Sequence, residues 1–125
     1  MAIEEEVVVI DPAVVAAGAN MSWMMIAGVI VFFMQSGFAL LESGSVRYKN
    51  YQNVLLKNCM DACIGGLVFW AWGYGLAYGD VDGGFAGKKY FFGYNMEGQY
   101  ASWFFQYAFA CTAATIVSGS LAERV

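Results

Sequence analysis

PAVVAAGANMSWMMIAGVIVFFMQSGFALL, residues 12–41, runs for 30 residues without a charged side chain. A membrane-crossing helix needs about 20 predominantly apolar residues, so this stretch alone is long enough to span a bilayer. Two more uncharged runs follow, 18 residues from Ala62 to Gly79 and 25 from Gly98 to Ala122. The composition agrees: 60% of the 125 residues are hydrophobic, 18% are aromatic and 13% are charged. Soluble domains carry about 25% charged residues. A soluble fold this small could not hide so many large apolar side chains.

The runs predict an all-α integral membrane protein with three transmembrane helices, near Met21–Ser43, Leu56–Gly79 and Ser102–Ala122. Val7–Ile10 and Val14–Ala17 are also apolar, but Asp11-Pro12 interrupts them, and they read as a short external segment. Residues 1–20 are therefore expected to form an extracellular tail, and residues 21–125 the membrane domain. Met1 is followed by Glu4, Glu5 and Glu6, which argues against a cleaved signal peptide with its basic start. The net charge of −4 comes largely from this tail, and no basic patch points to nucleic acid.

Positive charge near span ends stays on the cytoplasmic side. Arg47, Lys49, Lys57 and Arg124 mark one side; Lys88 and Lys89, in the Asp80–Tyr100 connection, mark the other. The tally favours an outside N-terminus. Asn20-Met21-Ser22 is a formal glycosylation sequon, but it sits at the mouth of the first span. The glycine-rich stretch Gly79–Gly98 reads as an external loop.

Within the spans, Ala110, Ala114, Ser118 and Ala122 recur every four residues and predict a small-residue packing face. Gly65, Gly66, Gly73 and Gly75 suggest a similar role in the second span. Charges in hydrocarbon survive only with a partner or water. Lys57 and Asp61, four apart, are expected to pair with each other, and Glu42 to be satisfied by a neighbouring group. Gln35, Gln106 and Thr115 are candidates for hydrogen bonds between helices. Cys59, Cys63 and Cys111 read as packing residues. No metal site, cofactor site or nucleophile–base pair is expected, so the chain is not read as an enzyme.

Three blocks carry a recognisable pattern. Phe33-Met34-Gln35-Ser36-Gly37-Phe38-Ala39-Leu40-Leu41-Glu42-Ser43-Gly44-Ser45-Val46-Arg47-Tyr48-Lys49-Asn50 closely resembles the first span and following turn of the ammonium transporter family. Tyr74-Gly75-Leu76-Ala77-Tyr78-Gly79 is similar to the end of its second span. Trp103-Phe104-Phe105-Gln106-Tyr107-Ala108-Phe109-Ala110-Cys111-Thr112-Ala113-Ala114-Thr115-Ile116-Val117-Ser118-Gly119-Ser120-Leu121-Ala122-Glu123-Arg124 resembles its third. The resemblance covers about Asn20 to Val125.

The resemblance implies an eleven-helix fold of five-plus-five inverted repeats and one extra helix. It also implies a homotrimer in the plasma membrane, an outside N-terminus, and ammonium and ammonia as substrate. In that family ammonium is recruited at an outer aromatic vestibule and loses its proton, and ammonia crosses an apolar pore past two facing histidines. Aromatic faces attract a cation, and a dry constriction rejects hydrated ions. Phe109 matches the family's third-span gate phenylalanine, with Phe105 and Gln106 as possible vestibule neighbours. The second gate phenylalanine and both pore histidines belong to later spans, and the chain contains no histidine. The expectation is therefore the N-terminal part of an ammonium transporter. The alternatives are an ammonium-sensing membrane domain coupled to signalling, or a non-conducting three-span structural or regulatory protein.

Overall fold

The computed structural model describes residues 11–81, 83–84, 86–122 and 124. All of the regular structure among them is helical. Helix α1 spans Pro12–Ser45, 34 residues. It begins at Pro12 because Asp11, in an extended conformation, accepts a hydrogen bond from the Ala13 N–H at 2.9 Å. Pro12 has no N–H to leave unsatisfied at the first helical position. Asp11-Pro12 thus starts the helix instead of interrupting it, so residues 12–20, expected in the tail, are helical. The acidic cluster and Val7–Ile10 lie outside the described residues. At about 1.5 Å per residue α1 is roughly 50 Å long, well beyond the ~30 Å of bilayer hydrocarbon.

A single tight turn, Tyr48–Asn50, leads into α2, Tyr51–Val68. The helix then widens over Phe69–Gly73, where the Tyr74 N–H reaches back five residues to the Phe69 carbonyl, and continues as α3, Tyr74–Tyr78. Gly73 lets the Phe69 ring fold over the widened turn, since a Cβ there would lie 3.2 Å from Phe69 Cγ. Helix α4 spans Tyr100–Leu121. Three segments, Pro12–Ser45, Tyr48–Tyr78 and Tyr100–Leu121, are long and apolar enough to cross a membrane. Each contains most of an expected span.

The connection between α3 and α4 is anchored to α3. The Gly87 N–H bonds to the Leu76 carbonyl at 3.1 Å, and the Lys88 N–H to the Asp80 carbonyl at 3.1 Å. Gly87 has no room for a side chain: a Cβ would collide with the Gly75 carbonyl and with Gly79. Tyr74, almost fully buried, donates its hydroxyl to Gln99 Oε1 at 3.3 Å. Phe92 sits edge-on to both Trp70 and Trp72, with ring centres 5.8 and 5.7 Å away. The aromatic and glycine content that marks this stretch as a loop also packs it against the helix end.

Helices α1 and α4 run parallel: Gly28, Gln35 and Glu42 meet Phe104, Thr115 and Gly119 in the same order. Gly28 allows this approach, because a Cβ there would lie 2.8 Å from Phe104 Cδ1. Gly65 and Gly66 do the same for α2 against Cys111 and Tyr107 of α4. The buried edge of α4 is Ala101, Ala108, Cys111, Thr112 and Thr115. Of the stripe expected from sequence, Ala114 is exposed. A strict four-residue spacing turns by about 40° at each step on a helix of 3.6 residues per turn. The sevenfold spacing Ala101–Ala108–Thr115 instead keeps one seam against its neighbours. Trp23, Phe33, Leu40 and Leu67 point away from the bundle and are exposed in the chain by itself. Helices apolar all round need lipid or further helices around them.

Candidate functional site

Near the C-terminal end of α1 a polar cluster ties three helices together. Glu42, only 7% exposed, receives the Lys57 ammonium at 2.8 Å on Oε2. The same oxygen receives Asn58 Nδ2 at 3.0 Å. Asn58 Nδ2 also donates to the Val54 carbonyl at 3.1 Å, and two acceptors on that nitrogen fix the orientation of the amide. Lys57 donates further to Ser118 Oγ at 2.9 Å. Ser118 Oγ lies 3.1 Å from Asp61 Oδ2 and 3.0 Å from the Thr115 carbonyl, so its one proton serves either in turn. Two turns along α1, Gln35 Nε2 donates to the hydroxyl of fully buried Thr115.

The expected Lys57–Asp61 pair is therefore replaced by a Lys57–Glu42 pair between helices, with Ser118 standing between the ammonium and Asp61. A contact within α2 leaves Glu42 buried and uncompensated, whereas a contact across the hairpin neutralises it. Glu42 Oε2 is satisfied by neighbouring side chains, as expected, whereas Oε1 is buried without a hydrogen-bond partner. Gly119 is part of the arrangement: a Cβ there would lie 2.6 Å from Glu42 Oε1.

Nearer the middle of α4, Phe109 is 44% exposed. Its ring lies edge-on to Phe105, with centres 5.1 Å apart and planes at 71°. Phe105 and Gln106 line a cavity of about 450 Å³ together with Asn20, Trp23 and Met24 of α1 and Ser102 of α4. Phe109 lies outside that lining and reaches it through the Phe105 ring. Gln106, a candidate for an interhelical hydrogen bond, faces this cavity. A second pair at the same four-residue spacing, Trp103 and Tyr107, stacks nearly parallel with centres 5.4 Å apart. Tyr107 donates its hydroxyl to the Ala62 carbonyl of α2 at 2.7 Å. One aromatic pair of α4 is thus fixed against α2, and the other borders open space.

Sequence reasoning singled out Phe109, Phe105 and Gln106, and separately Glu42, Lys57, Asp61 and Ser118. It missed the bond between Glu42 and Lys57. The available signal was two opposite charges flanking one short turn, 15 positions apart. The cysteines divide: Cys111 is buried, whereas Cys59 and Cys63, expected to be packed, are exposed free thiols. Among the described residues no group of three or more His, Cys, Asp or Glu is placed to hold a metal ion.

Residues 22–125 match the model of the Ammonium Transporter Family. The chain is 49% identical over 108 residues to putative ammonium transporter 1 of Caenorhabditis elegans, covering 84% of this chain and 20% of that protein. It is 47% identical over 120 residues to the ammonium transporter Amt1 of Haloferax mediterranei, covering 93% of this chain and 23% of that protein. Among solved structures it is similar to a sensor Amt protein, with a TM-score of 0.77 and 36% identity over 80% of this chain and 26% of that one. The chain spans about a fifth to a quarter of the relatives it matches. With its three membrane-length helices and this match over most of its length, the chain belongs to the ammonium transporter family.

Proposed function

We propose that this chain is the N-terminal part of an ammonium transporter or channel, in which ammonium is recruited at an outer aromatic vestibule and ammonia passes an apolar pore. The observation that carries this reading is Phe109, half-exposed and braced edge-on by Phe105 on a helix whose sequence resembles the family's third span. A braced ring offers its face to a cation without losing much side-chain entropy on binding, and cation–π attraction at such sites is worth about 0.5–2 kcal/mol. Phe105 and Gln106 are the neighbouring wall. The inner cluster at Glu42 has a different job: it holds the three helices in register. In the full assembly we place the protein as a homotrimer in the plasma membrane, with residues 1–20 outside and residues 21–125 opening the transporter domain. The charge asymmetry, four cations at the α1–α2 turn and the α4 end against two in the α3–α4 connection, supports that orientation.

The test is uptake of isotopic ammonium by cells expressing the reading frame that encodes this chain. Replacing Phe109→Ala is expected to raise the half-saturating ammonium concentration about two- to thirtyfold. An unchanged concentration dependence in a well-expressed variant removes Phe109 from the site. A second reading, an ammonium-sensing membrane unit, draws on the sensor protein among the solved structures. A signalling domain encoded in the same frame separates it from a plain transporter.

A further inference from the structure

The turn between α1 and α2 carries chemistry that the transport reading leaves unused. Residues 43–56 contain Arg47 and Lys49 and no acidic residue. Lys49 is exposed and lines a crevice of about 680 Å³ with Ser43, Tyr48, Tyr51 and Gln52. The nearest acid in sequence, Glu42, is buried and already holds Lys57 and Asn58, so it does not neutralise Lys49. Ser43 spends its proton on the Leu40 carbonyl at 2.9 Å. The lining therefore offers an ammonium, an amide N–H₂ and two phenol hydroxyls, with no carboxylate among them. Tyr48 beside it is 96% exposed. An exposed tyrosine next to cations at the end of a membrane helix is typical of the headgroup zone, where its ring and hydroxyl each find their own medium.

We infer that this crevice binds the phosphate of an anionic phospholipid, with Lys49 as the charge partner and Gln52, Tyr48 and Tyr51 as the surrounding donors. The inference rests on the reading that α1 and α2 cross a bilayer, which puts their connecting turn at headgroup depth. It does not depend on ammonium transport. A lipid is favoured over a free anion because Leu40 and Leu56, about one helical turn from the lining residues Ser43 and Gln52, are exposed and can meet acyl chains.

Native mass spectrometry of the protein made from the reading frame that encodes this chain, purified in detergent, tests this, with phosphatidylglycerol, phosphatidylcholine or inorganic phosphate added in turn. One lysine at an anionic headgroup surface is worth about fivefold in affinity. The expected result is tighter binding of phosphatidylglycerol than of phosphatidylcholine. Lys49→Gln should weaken it about fivefold, Lys49→Arg should retain it, and Lys89→Gln, in the other connection, should leave it unchanged. Because Lys49 is exposed, these variants are expected to keep the parent's helical circular dichroism. Equal binding of the two lipids, or no effect of Lys49→Gln with helicity intact, overturns the inference. Competition by inorganic phosphate at concentrations comparable to the lipid also overturns it, by assigning the site to a free anion. Failure of the ammonium uptake assay leaves this result standing, so the two readings fail separately.

Discussion

Replacing Lys57→Met should expose how far the three helices depend on the Glu42–Lys57 cluster. The substitution keeps an unbranched side chain of similar length and removes the ammonium that lies 2.8 Å from Glu42 Oε2 and 2.9 Å from Ser118 Oγ. Glu42, 7% exposed, then keeps only the Asn58 amide. Removing one partner of a fully buried ion pair costs about 3–5 kcal/mol, mostly because the other charge is left unpaired. The Lys57 side chain is itself 33% exposed, so water offsets part of the loss, and about 2–3 kcal/mol is the figure to expect. Adding Glu42→Gln to Lys57→Met should recover about 1–2 kcal/mol, since a neutral amide can still accept from Asn58 and no stranded charge remains. Reversible unfolding of the purified protein in mixed micelles, followed by circular dichroism, gives all four corners of this cycle. If Lys57→Met costs less than about 0.5 kcal/mol and the double variant equals the sum of the singles, the cluster does not hold the helices together.

Two further outcomes follow from the packing. Gly28→Ala should destabilise by about 1–3 kcal/mol in the same unfolding assay, because its Cβ would meet the Phe104 ring at 2.8 Å, whereas Gly18→Ala, with nothing within 4 Å, should be close to neutral. In the 125-residue chain in detergent, Cys59 and Cys63 should react readily with a maleimide while buried Cys111 is slow, which mass shifts will count directly.

The charge-free runs made the three helices legible, because a bilayer imposes one simple requirement of length and polarity. The start of α1 was harder to read. Asp11-Pro12 has the composition of a break, yet an acceptor side chain followed by a residue without an N–H is also a helix start. Which faces meet was the least legible feature. Helices that are apolar all round carry little periodic signal, so the small-residue stripe of α4 coincides only in part with the face that packs among these three helices, where Ala114 is exposed and Ala108 buried. Gln35 and Thr115 were recognisable as interhelical partners because a polar side chain in an apolar helix has few other places to go. Lys57 was misassigned to Asp61 because spacing along one helix shows only local neighbours. The bond to Glu42 depends on how the α1–α2 turn closes. Phe109 has no local feature that sets it apart from Phe104 or Phe105, and its selection came from the family resemblance. The structure then adds that Phe105 braces it and connects it to the cavity beside α1.

Ammonium flux is the quantity on which the functional reading stands. Protein made from the reading frame that encodes this chain, purified and reconstituted into liposomes, should admit isotopic ammonium above the rate of protein-free liposomes and saturate with concentration. Reconstituted, folded protein that admits no more ammonium than empty liposomes would contradict the transport assignment.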